Sequence, residues 1–335
     1  MGSEAQRHAV KSAAEIRKGD MPILALSEED VMRHLDPREL LSRLSSGFQA
    51  LARGAVQSPH RPEITIPGKG FSLAMPAYME GMNIAVKVVN VFEGNLAINL
   101  PNHLATITLF DAQTGAPVCI MDGTYITAVR TAASAVLSVG ALARKNARVA
   151  TIIGAGVQGR EHLLLLPLVG DFTEIRIASL EYEDAEKLAR LNPKAIAVRD
   201  VEAAVRTSDI VCLASHSYTP VIEAGWVRAG THVTSVGYAP PHGELPVELL
   251  EKASLFVESL EAFEAPPVGC GELCGIDPGV ATTLGDMLSR LKSGRQLETD
   301  ITVYKAMGIA MEDMIAADIA YRHAKSKKIG QVIVL

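Results

Sequence analysis

Three cations sit where a chain of this texture would ordinarily place apolar side chains. Lys87 lies inside Ile84-Ala85-Val86-Lys87-Val88-Val89, Arg130 interrupts Ala128-Val129-Arg130-Thr131-Ala132-Ala133, and Arg61 stands between Pro59 and Pro62 where a β-type run begins. Lysine and arginine are almost never fully buried without a partner. An arginine in such a place grips a fixed carboxylate or phosphate with its planar fork. A buried lysine either snorkels to an edge or is held in a site, where a lowered pKa makes it useful in acid/base work. Taken singly, each of the three also has a purely structural reading.

The clearest sign of a ligand is a loop. The run Arg148-Val149-Ala150-Thr151-Ile152-Ile153 empties into Gly154-Ala155-Gly156-Val157-Gln158-Gly159, and a helical pattern follows over 160–169. In such a strand, turn and helix the first glycine makes the tight turn and the second lets the backbone approach a pyrophosphate. The third lets the helix pack on the strand, while free N–H groups at the helix start face the anion. A second β-type run over 174–179 completes a βαβ unit of the expected length. Without a ligand the same residues are a glycine-rich βα turn. At the end of that second strand, Ile177-Ala178-Ser179-Leu180-Glu181-Tyr182-Glu183 holds no arginine for a 2′-phosphate and two carboxylates that would repel one. NAD is therefore expected, Glu181 taking the ribose hydroxyl, with NADP as the alternative. Both glutamates also suit the first turn of the next helix.

The rest of the composition bounds what these residues serve. A chain of 335 residues has room for two domains, and 48% hydrophobic with 21% charged residues is ordinary for a globular protein. The net charge of −6 argues against non-specific nucleic-acid binding, so the expected partner is a small molecule held by placed cations. Cys119, Cys212, Cys270 and Cys274 lack zinc-site spacing; no metal is expected, and the thiols read as reduced in a cytoplasmic protein. No stretch approaches the ~18 to 20 consecutive apolar residues of a membrane span. Residues 1–20 are polar, without the apolar segment of a secretory signal, and are expected to form a flexible extension.

Ser27, followed by three acidic residues, caps a first helix, and Asp36-Pro37 opens a second reaching Ala52. Short β-type runs at 63–66, 71–75, 84–91, 105–110 and 117–121 predict an antiparallel or mixed sheet, and a long alanine-rich helix follows over 127–144. Beyond the glycine loop, strands at 195–198, 210–214, 232–237 and 255–258 alternate with helical patterns, which implies a parallel, doubly wound sheet. From Asp300 the spacing of Val303, Met307, Ala310, Met311 and Met314 predicts a helix to about Lys325, and 331–335 reads as a closing strand. The expected fold is α/β: a Rossmann domain of residues 130–300 inserted in a second, α+β domain of residues 21–129 plus 301–335.

Six segments also carry a resemblance. Met75-Pro76-Ala77-Tyr78, Ala85-Val86-Lys87-Val88-Val89-Asn90, Met121-Asp122-Gly123, Thr127-Ala128-Val129-Arg130-Thr131-Ala132-Ala133, Gly154-Ala155-Gly156-Val157-Gln158-Gly159 and Thr302-Val303-Tyr304-Lys305-Ala306-Met307-Gly308 match the ornithine cyclodeaminase/μ-crystallin family in order and spacing, over nearly the whole chain from Met21. The resemblance implies a homodimer in which the first domain forms the dimer surface and the Rossmann domain binds NAD or NADP. It implies that Arg61, Lys87 and Arg130 hold a substrate α-carboxylate, with Lys87 near the reacting carbon or imine nitrogen and Met75 and His103 at the substrate edge. Thr131, Ser215 and His216 after the fourth Rossmann strand, and Val236, Gly237 and Tyr238 after the fifth, join the glycine loop as cofactor contacts.

In the cyclodeaminases of that family an aspartate follows the fifth strand as an acid/base; the matching position here is Ala239, which transfers no proton. The expected reaction is therefore simpler: hydride transfer to a small α-imino acid, with Lys87 as proton donor. His242 and Tyr238 are substitute acids or plain loop residues, and Asp277 reads as a turn residue. Two other readings of the resemblance are an ornithine cyclodeaminase-type ammonia-lyase with recycling NAD and a weakly active, μ-crystallin-like ligand-binding protein.

Overall fold

Two eight-stranded sheets organise residues 21–334, the part of the chain that the computed structural model describes; the expected extension, residues 1–20, lies outside the described residues. The chain runs β1 (Pro22–Leu26), α1 (Glu28–His34), α2 (Pro37–Ala52), β2 (Val56–Gln57), β3 (Glu63–Ile66), β4 (Gly70–Met79), β5 (Ile84–Phe92), β6 (His103–Phe110), β7 (Pro117–Asp122) and α3 (Thr124–Leu142). It continues through β8 (Val149–Ile153), α4 (Val157–Leu165), β9 (Glu174–Ala178), α5 (Tyr182–Ala189), β10 (Ala195–Ala197), α6 (Val201–Arg206), β11 (Ile210–Leu213) and β12 (His232–Ser235). The last elements are β13 (Ala253–Val257), β14 (Ala281–Thr283), α7 (Leu284–Leu288), β15 (Ile301–Lys305), α8 (Ala310–Lys327) and β16 (Gln331–Val334).

The first sheet has the order β16-β1-β7-β6-β5-β4-β2, with β3 paired to β4. It is mixed: β1 runs parallel to β7 and the β4 to β7 meander is antiparallel. Alternation sets its two faces, since Ala85, Lys87 and Val89 of β5 are buried while Val88 is exposed. The second sheet, β10-β9-β8-β11-β12-β15-β13-β14, is parallel throughout. Its central strands β11 and β12 are wholly buried; β11 accordingly reads as a continuous apolar run, while β12 carries His232, Thr234 and Ser235 in the interior. The order reverses at β8 and β11, so the crevice beyond their carboxyl ends is the ligand position of a doubly wound sheet.

The chain divides into a first unit, running to Asp36 and then comprising Gln57–Ile126 and Asp313–Leu335, and a second of Pro37–Val56 and Thr127–Glu312. This differs from the expected boundaries in two places. Residues 37–56 belong to the second unit because α2 packs against α7, so closely that a Cβ on Gly285 would lie 2.3 Å from the Phe48 carbonyl oxygen. Residues 301–312 also belong there, because Ile301–Lys305 is not helix but β15, inserted between β12 and β13. The helical spacing from Val303 onward ran a short buried strand and the following helix together. Gly308, at φ +83, separates them. Among the described residues one helix comes near a membrane span in make-up, though Arg130 and several Ser and Thr residues interrupt its apolar run. Helix α3 has the length and a mean hydropathy of 1.4 over 18 residues, yet 67% of that window is buried inside the fold, as in a core helix.

A buried histidine ties α3 to the second sheet. His232 of β12 meets Ser138 Oγ of α3 at 3.1 Å through Nε2 and Thr302 Oγ1 of β15 at 2.8 Å through Nδ1. Burial holds the pKa of His232 down to about 3 and that of His162 in α4 down to about 4. Both are neutral in the fold but protonate in the unfolded chain below its ordinary 6.5, so the unfolded state binds more protons there. Stability is therefore full above about pH 6.5 and falls with acid, by about 1.4 kcal/mol per pH unit for each histidine. Urea titrations at pH 7 and pH 5 check this: the wild type should lose stability on both counts, and a His232→Asn variant, weaker at pH 7, should show roughly half the slope.

Candidate active site

The three glycines of the loop after β8 have three different reasons. Gly154 adopts φ +115, and a Cβ there would lie 2.3 Å from the Ala214 carbonyl oxygen. Gly159 packs α4 on its own strand, its imagined Cβ 1.9 Å from the Gly154 carbonyl oxygen. Gly156 is different: a Cβ there meets nothing within 4 Å. It is the N-cap of α4, and no side chain caps that helix start. The protein itself gives no reason for a glycine at 156, whereas a pyrophosphate against the helix N–H groups does. Ala155 and Val157 line the same turn, and Gln158 Nε2 anchors it to the Ala128 carbonyl oxygen of α3 at 3.3 Å. The residues present thus fit a dinucleotide.

At the adenosine end Glu181 is the exposed N-cap residue of α5, and its side chain makes no capping bond. The next residue, Tyr182, carries the Arg199 guanidinium 3.6 Å above its ring. Arg199 follows β10, and only the tertiary fold brings it alongside the end of β9. At the other end Ser215 and His216 follow β11, with the His216 ring edge-on to Tyr218 at 5.6 Å, and Val236, Gly237 and Tyr238 follow β12. Thr131 is half-buried beside Arg130 on α3.

Lys87 is 1% exposed. Met75, Lys87, Ile107 and Met121 stand opposite one another across β4, β5, β6 and β7, so the ammonium rises from an apolar row, and Asp313 Oδ2 of α8 meets its Nζ at 2.6 Å. Arg130 has its own carboxylate, Glu312 Oε2, 2.7 Å from Nη1. That position depends on Gly308, whose Cβ would fall 2.0 Å from Arg130 Nη1. Nearby, Tyr304 shares a 2.5 Å hydrogen bond with Ser134, and burial, reinforced by Glu258 and Glu312, pushes its phenol well above the ordinary range. Arg61 is buried, two residues before β3 instead of starting a strand, because Pro59 and Pro62 bracket it.

Met75 thus joins Lys87, but His103 does not. It is exposed at the start of β6, and at about 3.3 Å per residue it lies roughly 13 Å along the strand from the Lys87 row. Ala239 is buried, His242 is exposed, and Asp277 accepts from Gly279 N at 2.9 Å as a turn residue. Glu312 and Asp313 were legible by the rule that singled out Lys87, since both are charges inside the apolar run 309–321. Among the described residues no group of three His, Cys, Asp or Glu side chains is placed to hold a metal ion.

The sequence profile of the ornithine cyclodeaminase/mu-crystallin family matches residues 23–328. The chain belongs to this family. Another member, alanine dehydrogenase of Archaeoglobus fulgidus, is 32% identical over 324 residues, 93% of this chain and 98% of that protein. Among solved structures, Thermococcus litoralis Δ1-pyrroline-2-carboxylate reductase in complex with NADH and L-proline shares 34% identity at a TM-score of 0.87, covering 93% of this chain and 100% of the other. An archaeal alanine dehydrogenase dimer with bound NAD shares 31% identity at a TM-score of 0.86, covering 93% and 99%.

The glycine assignments separate ligand binding from folding. Gly156→Val should leave the melting temperature near that of the wild type and abolish NADH binding in a fluorescence titration. Gly159→Val should unfold or strongly destabilise the protein even without ligand. Unchanged NADH affinity in Gly156→Val would remove the pyrophosphate from this turn.

Proposed function

We propose that this chain is an NAD-dependent oxidoreductase that reduces a small α-imino acid, cyclic or formed from a 2-oxo acid and an amine, to the amino acid. The observation that carries this reading is Lys87, a buried ammonium held by Asp313 in an apolar row, in a chain that also has the open Gly156 turn. The Thermococcus relative, with NADH and L-proline bound, supports the same class of chemistry. The cofactor, when bound at residues 154–159, supplies the hydride.

The chain supplies the rest. Arg61 and Arg130 draw in the substrate carboxylate through charge-assisted hydrogen bonds, and Arg130 arrives already oriented by Glu312. Lys87 attracts the same anion and gives a proton to the imine nitrogen as the carbon receives the hydride, so that C=N becomes CH–NH. Asp313 fixes the ammonium in place for that transfer. The apolar neighbours Met75 and Ile107 keep water from the row. Ala239 offers no second proton-transfer group, which disfavours cyclodeamination.

We further propose a homodimer. The outward face of β4 to β7 presents Val86, Val88, Thr108 and Ile120, with Val88 and Ile120 exposed, an apolar and β-branched surface suited to a second copy. The four cysteines are free, and burial raises the thiols of Cys119, Cys212 and Cys270 to about 12, which suits a reduced protein of the cytoplasm.

A panel of cyclic imines and of 2-oxo acids with amines, followed at the NADH absorbance, tests the activity. Lys87→Met should lower kcat by roughly 10² or more with NADH affinity unchanged. Ammonia released from ornithine without net NADH consumption would make the protein a cyclodeaminase, and cofactor binding without turnover would make it a binding protein. For the dimer, Val88→Glu with Ile120→Glu should halve the mass read by light scattering; a wild-type monomer would end that proposal.

A further inference from the structure

The parallel ladder between β11 and β12 ends at Leu213 and Ser235, with Val236 N donating to Leu213 O at 3.2 Å. Residues 215–216 and 236–238 lie just past that point. The chain leaves β12 through 238–243 and returns to bury the Glu244 carboxylate, 1% exposed, against both segments. Its Oε2 accepts from Ser215 N and Ser215 Oγ, each at 2.7 Å. Its Oε1 accepts from Gly237 N at 2.7 Å and Ser235 Oγ at 2.9 Å. Each oxygen therefore serves one strand end. Gly237 has to be glycine for this contact, since a Cβ would lie 2.5 Å from the Glu244 carboxyl carbon.

A second charge continues the network. Lys305, at the end of β15 and 0% exposed, donates through Nζ to Gly237 O at 2.8 Å, Glu272 Oε1 at 2.9 Å and Ser235 Oγ at 3.1 Å. Burial acts to lower the Lys305 pKa, but the charge of Glu272, with Cys270 and Glu244 adding to it, leaves it raised, so the group stays an ammonium. Glu272 in turn fills the space over Gly243, where φ is +89 and a Cβ would come within 2.2 Å of its carboxylate. The result is one buried chain, Glu272, Lys305, Ser235, Glu244 and Ser215. Burying two carboxylates and one ammonium is costly unless every partner is in place. Removing one partner strands the others.

A doubly wound sheet binds a dinucleotide in two halves, the pyrophosphate on the glycine turn after the first strand and the second mononucleotide across the ends of the strands beyond the reversal. We propose that Glu244 is a positioning residue for the nicotinamide half of the cofactor, setting the spacing of the main chain at Ser215 and Gly237, with Lys305 and Glu272 bracing the Gly237 side. This rests on the NAD reading above. It also makes the two halves separable: adenosine diphosphoribose, which lacks the nicotinamide, uses the turn at 154–159 and is indifferent to Glu244.

The test is titration of NADH and of adenosine diphosphoribose against the full-length wild type and Glu244→Gln, with melting temperatures alongside. In Glu244→Gln an amide NH₂ must face the donors at one strand end. NADH should then bind roughly 10- to 100-fold more weakly, as when a buried charge-assisted hydrogen bond is broken, while adenosine diphosphoribose binds as before. If Glu244→Gln does not fold, Ser235→Ala, which cuts the link between Lys305 and Glu244, should show the same selective loss on a smaller scale. Equal losses for both ligands, or a lower melting temperature with the affinity ratio unchanged, would overturn the proposal. A wild type that binds no NADH would instead defeat the cofactor reading on which it stands.

Discussion

A cation taken out of water needs a carboxylate, and that requirement dictates much of how this chain is arranged. Lys87 pairs with Asp313, Arg130 with Glu312 and Lys305 with Glu272, all with side chains 5% exposed or less. Buried pairs of this kind add little net stability, because desolvation offsets most of the attraction. What they impose is geometry, since neither partner can move without leaving the other uncompensated. Two of the three carboxylates are neighbours in sequence near the start of α8, and the division between the two units falls between them. The return of the chain after residue 300 delivers a carboxylate to a cation in each unit.

The glycines show a complementary principle. Gly154, Gly159, Gly237, Gly243 and Gly308 are each explained by a protein atom that a Cβ would strike. Gly156 is explained by none. A residue whose identity the fold does not require is a better witness to a ligand than one the fold demands.

Legibility followed the range of the interactions. The strand, glycine turn and helix at 148–165, the Ser27 cap of the first helix and the β meander were readable because neighbouring residues determine them. Lys87 and Arg130 were readable because a charge among apolar residues is visible without knowing its partner. Their partners satisfy the same rule, since Glu312 and Asp313 are charges in an apolar run, but nothing local ties either carboxylate to its cation. Glu244 and Arg199 act on residues brought near by tertiary folding, and nothing local announces them. β15 failed for another reason: a five-residue buried strand and the first turn of a buried helix have the same apolar texture, and only the positive φ of Gly308 tells where one stops.

The place of β15 also bears on how the protein reaches its native state. The strand that joins β12 to β13 comes from residues 301–305, long after both have been made. Until it arrives each of those strands has an open edge, with backbone N–H and C=O groups available to any other extended chain. Pairings of high sequence separation also form late, because loop closure has to precede the contacts that reward it. Nascent chains halted before residue 301 hold the glycine turn in full but lack the strand that joins β12 to β13, so that aggregation competes with folding until residues 301–305 are in place.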